Sequence, residues 1–440
     1  MHDEKSDVAR WIGFSRILEV PNSRNTRVHH DPPRDRRQRL VTPREKRFPV
    51  GCEVTLAELD RDPYSVFERL RQYEPVSWIA ALNMWYVVGY EDVRTALLDT
   101  SRLTTESAQS TILDTFGSHI LTTEGATHER YRLALRQPFA PGFIRTHLEA
   151  AMAAAATALI EEFEQQGRAD IRRDFASRLP IQVILLVCGL PPEAEPQMRR
   201  WYDSFEAALA NFTGDHAIRA SARRSIAEFH ELLDTAINSS TALSGNSLLA
   251  SLVHAPADER LGDDEIKRNL SIVFFGGIST VEALLLNSLW ALFAHPDVMR
   301  RVQSDFALLP QLIEETMRWL SPVQSATRHV IAPFEWRGVE FALRDTVNCM
   351  LGAANRDPAV FTDPDRFDLD RPNSRRHLGF ATGTHACLGS HLAKAEARIA
   401  LEVLLGSLRN LRIERSLTEP PSGYEFRQSR RLTLCWDAHC

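Results

Sequence analysis

The chain has 440 residues, 44% of them hydrophobic and 25% charged, with a net charge of −6. This is an ordinary globular composition with ample length for a large core, and the acidic balance argues against a general nucleic-acid surface. Six cysteines, at positions 52, 188, 349, 387, 435 and 440, form no CxxC pair; that argues against a disulfide scaffold or a zinc ribbon and suits a reducing, cytoplasmic setting.

Residues 1–48 differ from the rest. The run "RNTRVHHDPPRDRRQRLVTPREKR" is arginine-rich, proline-punctuated and poor in apolar periodicity. It reads as a disordered extension, and the acidic residues within it count against a transit peptide. The opening "MHDEKSDVARWIGF" has no apolar secretory core.

From Phe48 the pattern is globular. "DPYSVFERLRQYEPVSWI" predicts a helix leading into a strand, "MWYVVGY" a strand, and "EDVRTALLD" a short helix. Residues 101–125 are polar and irregular, and helical periodicity dominates from 126 to about 210. Further helices are predicted over 215–255, 263–294, 296–306 and 308–320. "RHVIAPFEWRGVEFALRDTVNCMLGAAN" alternates like short strands, a last helix covers 388–408, and "RRLTLCW" reads as a final strand. The fold class is therefore mainly α with a smaller β-rich portion. The apolar run Leu270 to Ala294 is long enough to cross a bilayer. It carries Gly276, Gly277, Ser279, Thr280, Glu282 and Asn287, so it reads as a buried, function-bearing helix with no membrane anchor expected.

Four motifs stand out. "GFATGTHACLG", Gly379 to Gly389, holds Cys387 among glycines just before the last helix. Such a cysteine is either a small apolar core residue or a thiolate steadied by loop and helix N–H groups. "EETMR" puts Glu315 and Arg318 three apart, on one helix face. "FTDPDRFDLDR" is a proline-bounded turn with Arg366. "FFGGIST" sets two glycines in an apolar helix, at a propensity cost of about 2 kcal/mol against alanine. Either a ligand approaching the backbone or close helix packing would compensate.

In this order and spacing the motifs resemble the cytochrome P-450 family over roughly residues 48–437. The cysteine loop, with Phe380, Gly383, His385, Cys387 and Gly389, is its most specific part. The resemblance implies a single large haem-enclosing domain over 49–440, of the soluble bacterial type. It implies Cys387 as axial thiolate ligand of haem b iron, and Thr280 as the hydroxyl that orders water for proton delivery. Gly276 and Gly277 would open the helix where oxygen sits, and Phe380 would belong to the haem-side loop. Glu315, Arg318 and Arg366 would form a structural triad. His128, Arg132, Arg328 and His385 would meet the haem propionates, which need cationic or hydrogen-bonding partners when buried.

Two departures from the family pattern are visible. Ala381 stands where the family usually has glycine, and alanine disfavours a positive φ, so a conventional or mildly strained backbone is expected. Ser279 stands where an acid is common, and Glu282, three residues on, shares that side of the helix. A proton relay through Ser279, Thr280, water and Glu282 is the expectation.

Family analogy places the substrate against segments 103–120 and 200–213, Phe274, Phe275, Ile278, Val323, Gln324, Ser325, Tyr424 and Phe426. These imply an apolar small molecule with a polar handle. No flavin or iron–sulfur module is fused to the sequence, so a ferredoxin and its reductase would carry electrons from NAD(P)H, with O2 as cosubstrate. Arg130, Arg132, Arg136, Arg375, Arg376, Lys394 and Arg398 would form a basic docking patch on an otherwise acidic, monomeric protein. Two other readings stay open: a haem-thiolate enzyme that works without oxygen insertion or on peroxide, and a catalytically silent haem-binding partner or sensor.

Overall fold

The computed structural model describes residues 42–108, 110–209, 215–239 and 246–437. Most of the arginine-rich extension, up to residue 41, lies outside them. Contacts divide the chain into Met1–Arg47 and Phe48–Cys440. The strands of the second unit are β1 (Val76–Ile79), β2 (Met84–Val87), β3 (Leu103–Thr104), β4 (Arg168–Asp170), β5 (Ala326–Val330), β6 (Phe334–Trp336), β7 (Val339–Phe341), β8 (Thr346–Cys349), β9 (Arg409–Ile413) and β10 (Thr433–Asp437). Its longer helices are α1 (Pro63–Tyr73), α2 (Tyr90–Leu98), α3 (Gly125–Leu135), α4 (Glu149–Glu161), α5 (Leu179–Cys188), α6 (Glu195–Leu209), α7 (His216–Asn238), α8 (Asp263–Gly276), α9 (Ser279–Ala294), α10 (Leu309–Trp319) and α11 (Ser390–Ser407).

Local chemistry sets these elements. At the start of α1, Pro63 occupies the first turn and the Asp62 carboxylate accepts the Tyr64 N–H, satisfying a donor that the helix leaves open. In β2 successive side chains serve opposite faces: Trp85 and Val87 join one core with Trp78 and Phe341, while Tyr86 joins another with Phe67, Leu70 and Met350. The five-stranded sheet runs β1-β2-β8-β5-β3. Only β2 and β8 are parallel neighbours in it. The alanine run of α4 lets that helix lie close along α11, and both belong to the largest core, which also encloses α9.

Two expectations change. The helix predicted over 263–294 is interrupted: α8 ends at Gly276, α9 starts at Ser279, and Ile278 between them has φ −104° and ψ −77°. The helical stretch 126–210 also contains β4, which pairs with β10 from the far end of the chain. A three-residue strand carries no period to read, and its partner is non-local.

Glu396 on α11 is buried, and its Oε1 has no hydrogen-bond partner among the described residues; burial raises its carboxyl well above the usual carboxylate range. The folded state therefore keeps a proton that the unfolded chain releases, and stability falls as pH rises past the ordinary value of about 4.5. Glu396→Gln should raise stability at pH 8 by on the order of 2 kcal/mol, with the gain vanishing near pH 4, as read from thermal unfolding at both pH values.

Candidate functional site

The loop Gly379–Gly389 carries the thiol to the mouth of α11. Gly383 has φ 79°, and a Cβ there would sit 3.0 Å from the Leu97 carbonyl oxygen, so only glycine fits. Ala381 adopts φ 55°, the mildly strained of the two backbones expected there, and alanine holds this left-handed position at a cost of roughly 1 kcal/mol. The Cys387 N–H donates to the Phe380 carbonyl at 2.9 Å and the Ala386 N–H to Gly383 at 3.1 Å. Phe380 itself lies beside His377 and beneath the Lys394 ammonium, 5.0 Å from its ring centre.

The Cys387 side of the loop is open. Burial nonetheless pushes its thiol up, opposed by the Gly389 N–H and by the Arg132 and Lys394 cations. A thiol that is both accessible and strongly desolvated faces an interior space rather than bulk water.

Around it lies a chain of unneutralised donors. His128 is 3% exposed, its ring is 4.3 Å from that of His385, and its Nε2 has no partner among the described residues. Burial lowers its pKa, helped by His385 and Arg132. His385 Nε2 meets Glu124 at 2.9 Å while its Nδ1 is unpartnered. Burial would push the Glu124 carboxyl up, but the bonds from His385 and the Thr105 N–H outweigh it and hold it at about 2. Arg328, 6% exposed, donates only to the Thr327 carbonyl at 2.9 Å and has no carboxylate partner among the described residues. Arg132 donates to the Ala386 carbonyl at 2.9 Å. Buried cations and orphaned imidazole nitrogens call for added anionic oxygens, and an accessible thiol beside the Arg132 and Lys394 cations can ligate a metal once it gives up its proton. A haem, with iron and two propionates, fits this donor set.

On the other side is the α8–α9 interruption. The Thr280 hydroxyl donates to the Gly276 carbonyl at 2.7 Å, which leaves its oxygen free to accept. Gly276 faces open space, whereas a Cβ on Gly277 would come within 2.6 Å of Ile184 Cδ1 on α5. The two glycines therefore split: Gly276 borders the open side and Gly277 permits helix packing. Ser279 is buried against Tyr202. Glu282 is buried too and is pinned by Arg172 at 2.6 Å and Gln428 at 3.2 Å, so it is not a neighbour of Thr280 on the open side. Burial raises its carboxyl while Arg172 pulls it down.

The triad expected from the turn is also corrected. Glu315 binds Arg318 at 2.7 and 2.8 Å and Arg371 at 3.0 Å. Arg366 contributes its carbonyl, which accepts from both guanidinium groups, while its side chain is exposed. Both arginines stand in the same motif, and spacing alone does not say which one turns inward.

The substrate positions divide as well. Phe275 faces Phe116, Tyr202 and Phe426 with ring centres 5.7, 5.7 and 6.3 Å away; Phe426 and Val323 keep accessible surface. Phe274 and Ile278 are sealed in the core. Gln324 is sealed too, donating to the Ser321 carbonyl at 2.6 Å. Tyr424 packs on the core under α1, and Ser325 donates to Glu425 at 2.5 Å. Residues 109 and 210–213 of the two expected segments lie outside the described residues. Of the basic patch, Arg130 pairs with Glu265, Lys394 with Glu314 and Arg398 with Glu149; Arg136, Arg375 and Arg376 are exposed.

Arg371→Ala should cost about 3–5 kcal/mol, because it leaves Glu315 short of a buried partner; Arg366→Ala should stay within about 0.5 kcal/mol. Urea unfolding of both variants compares them.

Comparison with known proteins agrees with this geometry. The family described as Cytochrome P450 matches residues 197–428. The chain is 31% identical over 367 residues to Cytochrome P450 monooxygenase PikC of Streptomyces venezuelae, covering 80% of this chain and 85% of that protein. It is 29% identical over 369 residues to Polyketide biosynthesis cytochrome P450 PksS of Bacillus subtilis, covering 79% and 89%. Among solved structures, P450BioI in complex with hexadec-9Z-enoic acid ligated acyl carrier protein superposes with a TM-score of 0.78 at 26% identity, covering 87% of this chain and 100% of that one. The loop thiol facing an enclosed space, the unneutralised donors beside it and these likenesses agree: the chain belongs to the cytochrome P450 family and is a haem-thiolate monooxygenase.

Proposed function

We propose that this monooxygenase inserts one oxygen atom of O2 into an apolar small molecule and reduces the other to water, with electrons from a separate ferredoxin-type partner. The observation that carries the site assignment is the open Cys387 thiol at the N-terminus of α11, flanked by Arg132 and Lys394. A haem held there would supply O2 binding and O–O cleavage, chemistry that thiolate ligation by Cys387 would favour. Cys387 ligates the metal, and the Gly389 N–H stabilises its sulfur charge. His128, Arg132, Arg328 and His385 hold the propionates, which fills the orphaned Nε2 of His128 and Nδ1 of His385. Glu124 fixes the His385 ring.

Phe426 and Val323 offer apolar surface to the substrate, with Phe275 and Phe116 packed in the wall behind them. The Thr280 oxygen, with its own proton committed to Gly276, accepts a hydrogen bond from water on the open side and orders it for proton transfer. The substrate is proposed to be an acyl or polyketide-like compound, supported by the similarity to Polyketide biosynthesis cytochrome P450 PksS and to P450BioI in complex with an acyl carrier protein. The electron donor docks on the thiolate side, where Arg136, Arg375 and Arg376 leave positive charge exposed.

The dithionite-reduced protein under carbon monoxide should show a Soret band shifted far to the red, and Cys387→Ser should abolish that shift. A spectrum like that of histidine-ligated haem in the unaltered protein would overturn the assignment. Arg328→Leu should weaken haem retention by at least about tenfold, the loss of a hydrogen-bonded charge, with circular dichroism unchanged; haem transfer to apomyoglobin measures it.

A further inference from the structure

A second, polar cavity of about 260 Å³ lies behind the central helix, lined by β4 and the segment after it, α5, α6, α9 and the approach to β10. It borders Ile278 and Glu282 on the central helix and Tyr202 and Glu206 on α6. The face of Tyr202 stacks on Phe275 at 5.7 Å and 14°, so this cavity and the substrate side share a wall. The Tyr202 hydroxyl is buried against Ser279 and makes no hydrogen bond of good geometry.

Turnover of O2 to one inserted oxygen atom and one water consumes two protons, and the water ordered by the Thr280 oxygen cannot supply them unless it is itself resupplied. Ser279, next to Thr280, holds no charge. Glu282 is pinned by Arg172 and Gln428 and has no freedom to carry a proton. Glu206 differs: it is half-buried, one helical turn from Tyr202 on the same face of α6, and makes no ion pair or hydrogen bond to a described residue. The charged groups facing it are Arg172 and Asp170 from the β4 segment, Asp203 and Arg199 from α6, and Glu282 from α9, with Arg173 and Arg430 at the rim. Burial and Asp203 push its carboxyl up and Arg172 pulls it down, with the net shift upward.

We propose that this cavity is the proton entrance to the oxygen side of the site, with Glu206 as proton donor and the Tyr202 and Ser279 hydroxyls as the relay to Thr280. Glu206 releases its proton, through cavity water, to the Tyr202 oxygen. Tyr202 passes its own proton to Ser279, and Ser279 passes one across the interrupted turn to the Thr280 side. Each hydroxyl takes one proton and gives one, and Glu206 is reprotonated from solvent through the cavity mouth. No net charge stays behind. The inference rests on the monooxygenase reading and adds this chain's own route.

The test uses holoenzyme given O2 and both electrons, from NADPH through a ferredoxin and its reductase, following reoxidation at the Soret band over a single turnover across pH in H2O and D2O. Glu206→Gln, Tyr202→Phe and Ser279→Ala should each slow the proton-dependent phase by about tenfold or more and flatten its pH dependence, while Glu206→Asp retains most of the rate. The carbon monoxide spectrum of every variant should stay that of the parent, which separates failure of the relay from failure of the haem-thiolate reading. A readout without turnover is the infrared spectrum of the resting protein as pH is lowered: beside the persistent band of the buried Glu396 carboxyl, a second protonated-carboxyl band grows in at a pH above the ordinary carboxylate range, shifts in D2O and is missing in Glu206→Gln. Unchanged reoxidation in Glu206→Gln, or an infrared spectrum identical to the parent's, overturns the proposal.

Discussion

A carboxylate with almost no access to water has to be matched by cations and N–H donors, and Glu315 is that carboxylate here. It is bound by Arg318 from its own helix, and by Arg371 and the Asp368 N–H from the turn before the cysteine loop. The guanidinium groups spend their remaining donors on the carbonyls of Asn355, Thr362, Pro364 and Arg366. One charge on α10 thereby anchors a long irregular segment that has no ladder of its own. The neighbouring Glu314 repeats the device toward the loop, with His377 at 3.0 Å and Lys394 at 2.7 Å. Removal of either arrangement would leave the thiol loop without a fixed floor.

The site above that floor shows the opposite economy. Around Glu315 every strong donor is used; around Cys387, His128 Nε2, His385 Nδ1 and the Arg328 guanidinium lack anionic partners. Three such groups gathered on one side of an accessible thiol fit a bound anionic molecule that completes them together. The contrast separates structural charge from binding charge within one protein, and both kinds come from ordinary arginines and histidines.

Two local conformations link scaffold and chemistry. The interruption at Gly277–Ile278 leaves the Gly276 carbonyl for the Thr280 hydroxyl and points the hydroxyl oxygen outward. Ala381 holds a left-handed backbone that glycine would adopt freely. Of the two, only Ala381 stores strain, and it does so in the loop that presents the thiol.

The motifs that carry the family resemblance were legible in the chain itself, because Cys387, its glycines, Thr280 and the Glu315–Arg318 pair are local in sequence, and it is the resemblance that implies their chemistry. The helices and most strands were legible for the same reason: periods of 3.6 and 2 report which face is buried. Contacts between distant segments were not. Arg371 rather than Arg366 completes the clamp because the turn directs one side chain inward and the other to solvent. Gly277 packs against Ile184 while Gly276 borders open space because α5 approaches one side of the central helix only. Glu282 lies behind that helix because Arg172, far away in sequence, reaches it there. Local spacing determines which groups a helix or loop presents, but their partners depend on how the elements pack, and packing is decided by burial summed over the whole chain.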